Sequence, residues 1–234
     1  MTSSYFKYAI GEIALVVIGI LIALTINNWN ENRKVNKELK GYLSSIQKNL
    51  RADIESIKII NKNYKNASSG AKMFMQQLLQ DNYTIEGLMA VGEVLGEEYV
   101  TVDQSGFEAL KNSGYISKLQ GTDIEDALFK YYGHYQVVLR AEQSYNNFVE
   151  RMEANLYGMN ELDMIDANKI FNQENYDNIS PISQPLDRLI PKLSTNSYLI
   201  GMMNRAADED TDQYDLLLNF ANELFSKIDN ALNN

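Results

Sequence analysis

Residues 9–26 read AIGEIALVVIGILIALTI, and the same helical run continues through Asn30-Glu31-Asn32-Arg33 without a break. Eighteen residues at 1.5 Å each span about 27 Å, close to the hydrocarbon thickness of a bilayer. Glu12 is the only charge in the run. Tyr5, Phe6 and Tyr8 flank one end and Trp29 the other, where amphipathic rings favour the membrane interface. A cleaved signal peptide needs a basic start, a shorter apolar stretch and a small-x-small cleavage site. Ala23-Leu24-Thr25-Ile26-Asn27 is a poor site, so the sequence predicts an uncleaved anchor with the lipid bilayer as its first partner.

Within this run Gly11, Leu15, Gly19, Ala23 and Asn27 recur every four residues and share one helix face. Gly19 and Ala23 form a small-xxx-small pair, which lets two backbones approach closely in lipid, although both residues are also common in membrane helices generally. Glu12 is a candidate functional group because an acid inside a span is expensive. The competing reading places it one turn from the end, within reach of headgroups or of the positive end of the helix dipole.

Beyond the anchor, Leu39, Leu43, Ile46, Leu50, Ile57 and Ile60, then Tyr64, Ala67, Ala71, Phe74 and Leu78, follow alternating steps of three and four. The one irregularity is Asp53-Ile54, where the apolar slot falls on Asp53. Such a stripe is too long for an ordinary globular helix. Two readings compete. In one, residues 39–60 form the seam of a coiled-coil stalk that joins copies of the chain. In the other, favoured for the distal half, the stripe is the first long helix of an intramolecular bundle.

The remaining segments point the same way. Residues 84–98 allow a short helix, and Tyr99-Val100-Thr101-Val102 is too short for a sheet. Ser105 is expected to cap a helix ending at Gly114. Thr122 to Glu125 reads as a capping box. Apolar and tyrosine positions from Ile124 to Leu156 then predict a helix of about nine turns, with Glu142 the only polar residue in its stripe. Residues 158–194 hold all three prolines and read as irregular, with one turn near 165–171. A single last helix is expected after a cap at Ser194 or Thr195. The predicted fold is all-α: an anchor over 1–29, a stalk helix over 30–80, and an antiparallel bundle over 81–234 completed by the distal stalk.

At 234 residues the chain has room for this plan, with 45% hydrophobic and 22% charged residues. Zero cysteines exclude disulfides, thiol nucleophiles and Cys-ligated metals, and a single histidine excludes two-histidine metal motifs. A net charge of −10 argues against nucleic acid as a partner. The charge is uneven: residues 31–72 hold ten Lys/Arg against four Asp/Glu, and residues 73–234 hold ten against twenty-six. The basic stalk is therefore expected to pair with the acidic remainder.

Lys7-Tyr8-Ala9-Ile10-Gly11-Glu12-Ile13 through Leu24, followed by Asn27-Asn28-Trp29-Asn30-Glu31, resembles an uncharacterised family of single-span inner-membrane proteins common in Bacteroidota. Members show a KYAIGEI…LVVIGILIAL…NNWNE signature. Phe107 to Gly114 and Tyr131-Tyr132 look like further family landmarks. The resemblance implies no activity. It implies an inner-membrane anchor followed by a helical domain on the periplasmic side. The positive-inside rule, counting Arg33, Lys34, Lys37 and Lys40 after the span against Lys7 before it, points instead to the cytoplasm.

No catalytic constellation emerges. His134 has no second ligating residue type to share a metal and reads as a solvated surface histidine. Asp208-Glu209-Asp210-x-Asp212 lacks the glycine and closing glutamate of a calcium loop and reads as an acidic face. The methionines read as core filling. No metal, no cofactor and no enzymatic activity is expected. The leading expectation is a non-catalytic, membrane-anchored interaction protein, self-associating or a subunit of an envelope complex, with Gly11, Glu12, Gly19 and Ala23 packing the span. The alternative is a sensor-like bundle in which Tyr131, Tyr132, Tyr135 and Tyr145 line a small-ligand site and a partner carries the signal.

Overall fold

The computed structural model describes residues 2–82, 84–156 and 192–233, and all regular structure among them is helical. Helix α1 runs unbroken over Thr2–Gln80, about 120 Å at 1.5 Å per residue. From Gly11 to Lys34 every described side chain is exposed. This part contains an 18-residue window of mean hydropathy 1.9, none of it buried, so the helix is long and apolar enough to cross a membrane. Among the described residues Leu43 is the first buried one, and from there α1 becomes the spine of a bundle.

The remaining elements wrap that spine. They are α2 (Ile85–Leu95), α3 (Ser105–Asn112), a 3-10 turn (Tyr115–Leu119), α4 (Asp123–Leu156), α5 (Ser197–Ala207) and α6 (Asp212–Asn233). Helix α1 packs on α2, α3, α5 and α6, and α4 packs on α5 and α6. Helix α6 runs antiparallel to α1: Gln47 reaches Asp229, and Asn61 and Lys65 reach Asp215. It is antiparallel to α4 as well, since Asp123 pairs with Lys227 and His134 meets Phe220.

The stripe predicted on α1 is the bundle's core. Leu43, Ile46, Leu50, Ile57, Tyr64, Ala71 and Phe74 are buried, and Leu39 and Ile60 pack partly buried against them. Each fully buried Leu or Ile contributes on the order of 1.5–3 kcal/mol of removed apolar surface. These side chains face the chain's own helices, so the seam from Leu39 to Ile60 is not a free surface for a second copy. Periodicity marks an apolar face; it does not say which chain covers it. Small residues let the neighbours come close. A Cβ at Gly106 would lie 2.9 Å from the backbone nitrogen of Ile46, and one at Gly70 would lie 2.6 Å from Cβ of Ala90. The segment Asn66 to Gly70 therefore passes without a kink and receives α2.

Local signals differ in places. Thr84 caps α2, accepting from the Gly87 N–H. Helix α3 begins at Ser105, but the capping oxygen belongs to Asp103, which accepts from the Ser105 N–H at 2.9 Å. Gly114 adopts φ 77° and hands the chain into the 3-10 turn. Thr122 Oγ1 accepts from the Glu125 N–H as a capping box requires, while the Glu125 carboxylate takes the Gly121 N–H. The predicted last helix is two. Asn196 caps α5 through the N–H groups of Tyr198 and Leu199, and Asp208 to Thr211 interrupt it. Asp210 accepts from the Asp212 N–H and restarts the chain as α6. Acidic residues suit a helix N-terminus, which is why this run breaks rather than continues the helix. The turn expected near 165–171 lies outside the described residues.

The expected neutralisation of the basic stalk is narrow. Among the described residues one ion pair joins α1 to the acidic remainder, Lys65 to Asp215 at 2.7 Å.

Candidate functional site

Between α2 and α3 the chain crosses the bundle as an extended strap, Gly96 to Gln104, that buries Val100 and Val102. Buried backbone N–H and C=O groups need partners, and the strap has no neighbouring strand among the described residues. Side chains supply them. The Val100 N–H donates to Glu142 Oε1 at 3.0 Å, and the Asp103 N–H donates to Asp53 Oδ1 at 2.9 Å. The Glu98 carbonyl accepts from the Tyr64 hydroxyl and from the Asn146 amide, both at 2.9 Å. The Tyr135 hydroxyl reaches the Val100 carbonyl at 3.5 Å.

Two carboxylates are thus drawn into the interior. Asp53 is 2% exposed and also accepts from the Tyr131 hydroxyl at 2.9 Å, bridging α1 and α4. Burial pushes its carboxyl up, and the Asp103 N–H and Tyr131 hydroxyl oppose the shift. Glu142 is 1% exposed and accepts from the Tyr214 hydroxyl at 3.2 Å. Burial pushes it up to about 7 against the bonds from Val100 and Tyr214, and the Glu98 charge adds to the rise. Glu142 Oε2 and Asn146 Oδ1 have no hydrogen-bond partner among the described residues. Glu142 and Asn146 stand one helical turn apart on the same face. Desolvation raises the Tyr64, Tyr131 and Tyr214 hydroxyls, so all three remain protonated donors.

Beside the strap lies a pocket of about 250 Å³, lined among others by Asn63, Tyr64, Glu93, Glu98 and Tyr145. The Asn63 amide donates to both oxygens of Glu98, at 2.8 and 3.0 Å. Tyr145 meets Tyr64 edge-on with centroids 5.6 Å apart, and Tyr64 stacks on Tyr214 at 5.0 Å. The Arg205 guanidinium lies 5.5 Å over the Tyr145 ring and pairs with Glu209.

Of the four tyrosines expected to line a ligand site, Tyr145 is among the residues that line this pocket. Tyr131, Tyr132 and Tyr135 are buried in the core; Tyr132 stacks on Phe107 at 4.2 Å. A tyrosine at core spacing packs its ring and needs a partner for its hydroxyl, and here the strap and Asp53 provide partners for two of the three. Tyr64 and Glu98 are the residues that sequence reasoning missed as pocket walls. Their signals were a tyrosine within an apolar stripe and an acid ahead of a short extended run. His134 is half-buried rather than solvated, with Nε2 3.0 Å from the Gln213 carbonyl. Gly11, Glu12 and Gly19 are exposed on α1, with open space around both glycines. Ala23 is exposed on the same helix.

A family model matches residues 12–179, from inside the apolar run through α4. The chain belongs to DUF6090. DUF6090 is a family of unknown function. Neither a curated protein nor a solved structure matches the chain. The matched DUF6090 range includes Asp53, Glu98, Tyr131 and Glu142, whereas Tyr214, which closes the bonding around Glu142, lies beyond it.

Proposed function

We propose that the protein is a non-catalytic, membrane-anchored helical scaffold of the bacterial inner membrane that self-associates or joins other envelope proteins. One observation carries the reading: a single helix holds a wholly unburied apolar window at one end and the bundle's core stripe at the other. An 18-residue apolar surface left uncovered by the described residues is costly in water and is satisfied by lipid. Since the seam from Leu39 to Ile60 is occupied within the chain, self-association in this reading resides in the span, on the face of Gly11, Gly19 and Ala23. Carbonate-washed membranes should retain the full chain. Its mass in mild detergent and in lipid nanodiscs should be that of an oligomer, and Gly19→Leu should shift it toward monomer without changing the helical content. A wild-type monomer in both media overturns self-association.

The resemblance supports a periplasmic bundle, and the four bases after the span support a cytoplasmic one. A single cysteine at the exposed position Ser226 separates them. Labelling by a thiol reagent that crosses only the permeabilised outer membrane supports the periplasmic side. Labelling only after lysis supports the cytoplasmic side.

A second reading, a sensor-like bundle that binds a small ligand and signals through a partner, is favoured by the pocket beside Tyr64 and Tyr145.

A further inference from the structure

We infer that the pocket between α1, α2, the strap and α4 binds a small organic cation. The inference rests on the ligand-binding reading and names the ligand's chemistry. Its walls combine two carboxylates from different elements, Glu93 of α2 and Glu98 of the strap, with the rings of Tyr64 and Tyr145, and among the described residues no lysine or arginine lines it. Arg205 does not neutralise the site, because it lies over Tyr145 outside the lining and pairs with Glu209. The carboxylates attract an ammonium group by charge, and Tyr64 and Tyr145 add the ring surface that Tyr214 and Arg205 leave uncovered.

Asn146 shares the Glu98 carbonyl with Tyr64, a wall of the pocket. Residues 73–234 hold twenty-six acids against ten bases, which raises the local concentration of cations. A bare metal ion fits poorly: among the described residues no group of three or more His, Cys, Asp and Glu side chains is placed to hold one. The volume of about 250 Å³ falls just below the range of drug-sized sites, so the cation is small.

The test is calorimetric titration of the full chain in maltoside detergent, which carries no choline headgroup. The probes are choline, spermidine, the uncharged choline isostere 3,3-dimethylbutan-1-ol, and succinate. Choline or spermidine should bind saturably, the uncharged isostere about tenfold or more weaker, and succinate not at all. Glu93→Gln and Glu98→Gln should each weaken the cation about tenfold. Both leave the bundle intact, since the Glu98 backbone keeps its partners and Glu93 is exposed. If the isostere or succinate binds as well as the cations do, the ligand reading survives and the cation assignment falls. Saturable binding that neither substitution alters places the cation elsewhere and overturns the site. If no probe binds, the pocket is packing space and both readings fall.

Discussion

Helix α1 is one helix with two kinds of surface. From residue 11 to 26 its described apolar side chains point outward on all sides, with Leu15, Leu21 and Ile26 more than half exposed. From Leu43 to Phe74 its apolar residues fall mainly on one buried stripe, with Ile59 exposed outside it, and the other faces carry Lys, Asn and Ser. The backbone is the same in both halves. The distribution of side chains around the axis decides what can cover each half: an apolar surface on all sides in one case, long enough to cross a membrane, and a single stripe covered by protein in the other. The polar cost is handled differently too. The bundle half admits Asp53, Asn61 and Ser68 into the interior and gives each a hydrogen bond.

The largest expected effect tests that division directly. Leu50→Ala should lower the bundle's unfolding free energy by about 2–5 kcal/mol, measured by denaturant titration of the detergent-solubilised chain. Leu21→Ala should leave the same transition where it was, because Leu21 is 57% exposed. Equal losses at both positions would mean that the apolar half packs against the bundle and that the two halves are not separate environments.

A second test concerns the buried acid. The folded-state value for Glu142 is raised to about 7 from an ordinary 4.5. A raised carboxyl favours the protonated form in the folded state. Its contribution is fully present below pH 4.5 and is lost as pH rises through 7. Glu142→Gln supplies an uncharged side chain that still accepts from Val100 and Tyr214. The substitution should be neutral near pH 4.5 and stabilising by about 3 kcal/mol at pH 8, read from melting curves across that range. Parallel curves for the two proteins would mean that Glu142 is held as a carboxylate.

The smallest effect belongs to the one ion pair that, among the described residues, joins the spine to the acidic remainder. Lys65 and Asp215 are each nearly half exposed. Lys65→Met should cost no more than about 1 kcal/mol, and the loss should shrink further in high salt. A much larger loss that shrinks with added salt would show that charge and not the apolar stripe holds α1 to α6.

These features were legible to different depths. Helix α1, its length and its stripe can be read from spacing alone, as can α4 with Glu142 as its polar exception. The slot of the α1 stripe that falls on Asp53 likewise puts an acid on the apolar face. Three features escape such a reading. Whether the seam is covered by the same chain depends on contacts with α6, whose Asp215 is far along the sequence from Asn61 and Lys65. The break at Asp208 to Thr211 depends on carboxylates turned back onto backbone N–H groups, which periodicity does not register. The pocket exists because the strap carries Glu98 across to Tyr64, and an extended run of a few residues announces no such route.

An unbroken helix also works as a crank. At 100° per residue, Gly19 and the buried residues Leu43, Ile46 and Leu50 lie about 120–180° apart around the axis of α1. If two spans meet through the glycine face, their bundles hang on the outer sides of the pair, clear of one another. The azimuth of each bundle is then set inside the bilayer. Inserting one residue between Ile26 and Leu39 would swing the whole domain by about 100° without altering a single contact within it.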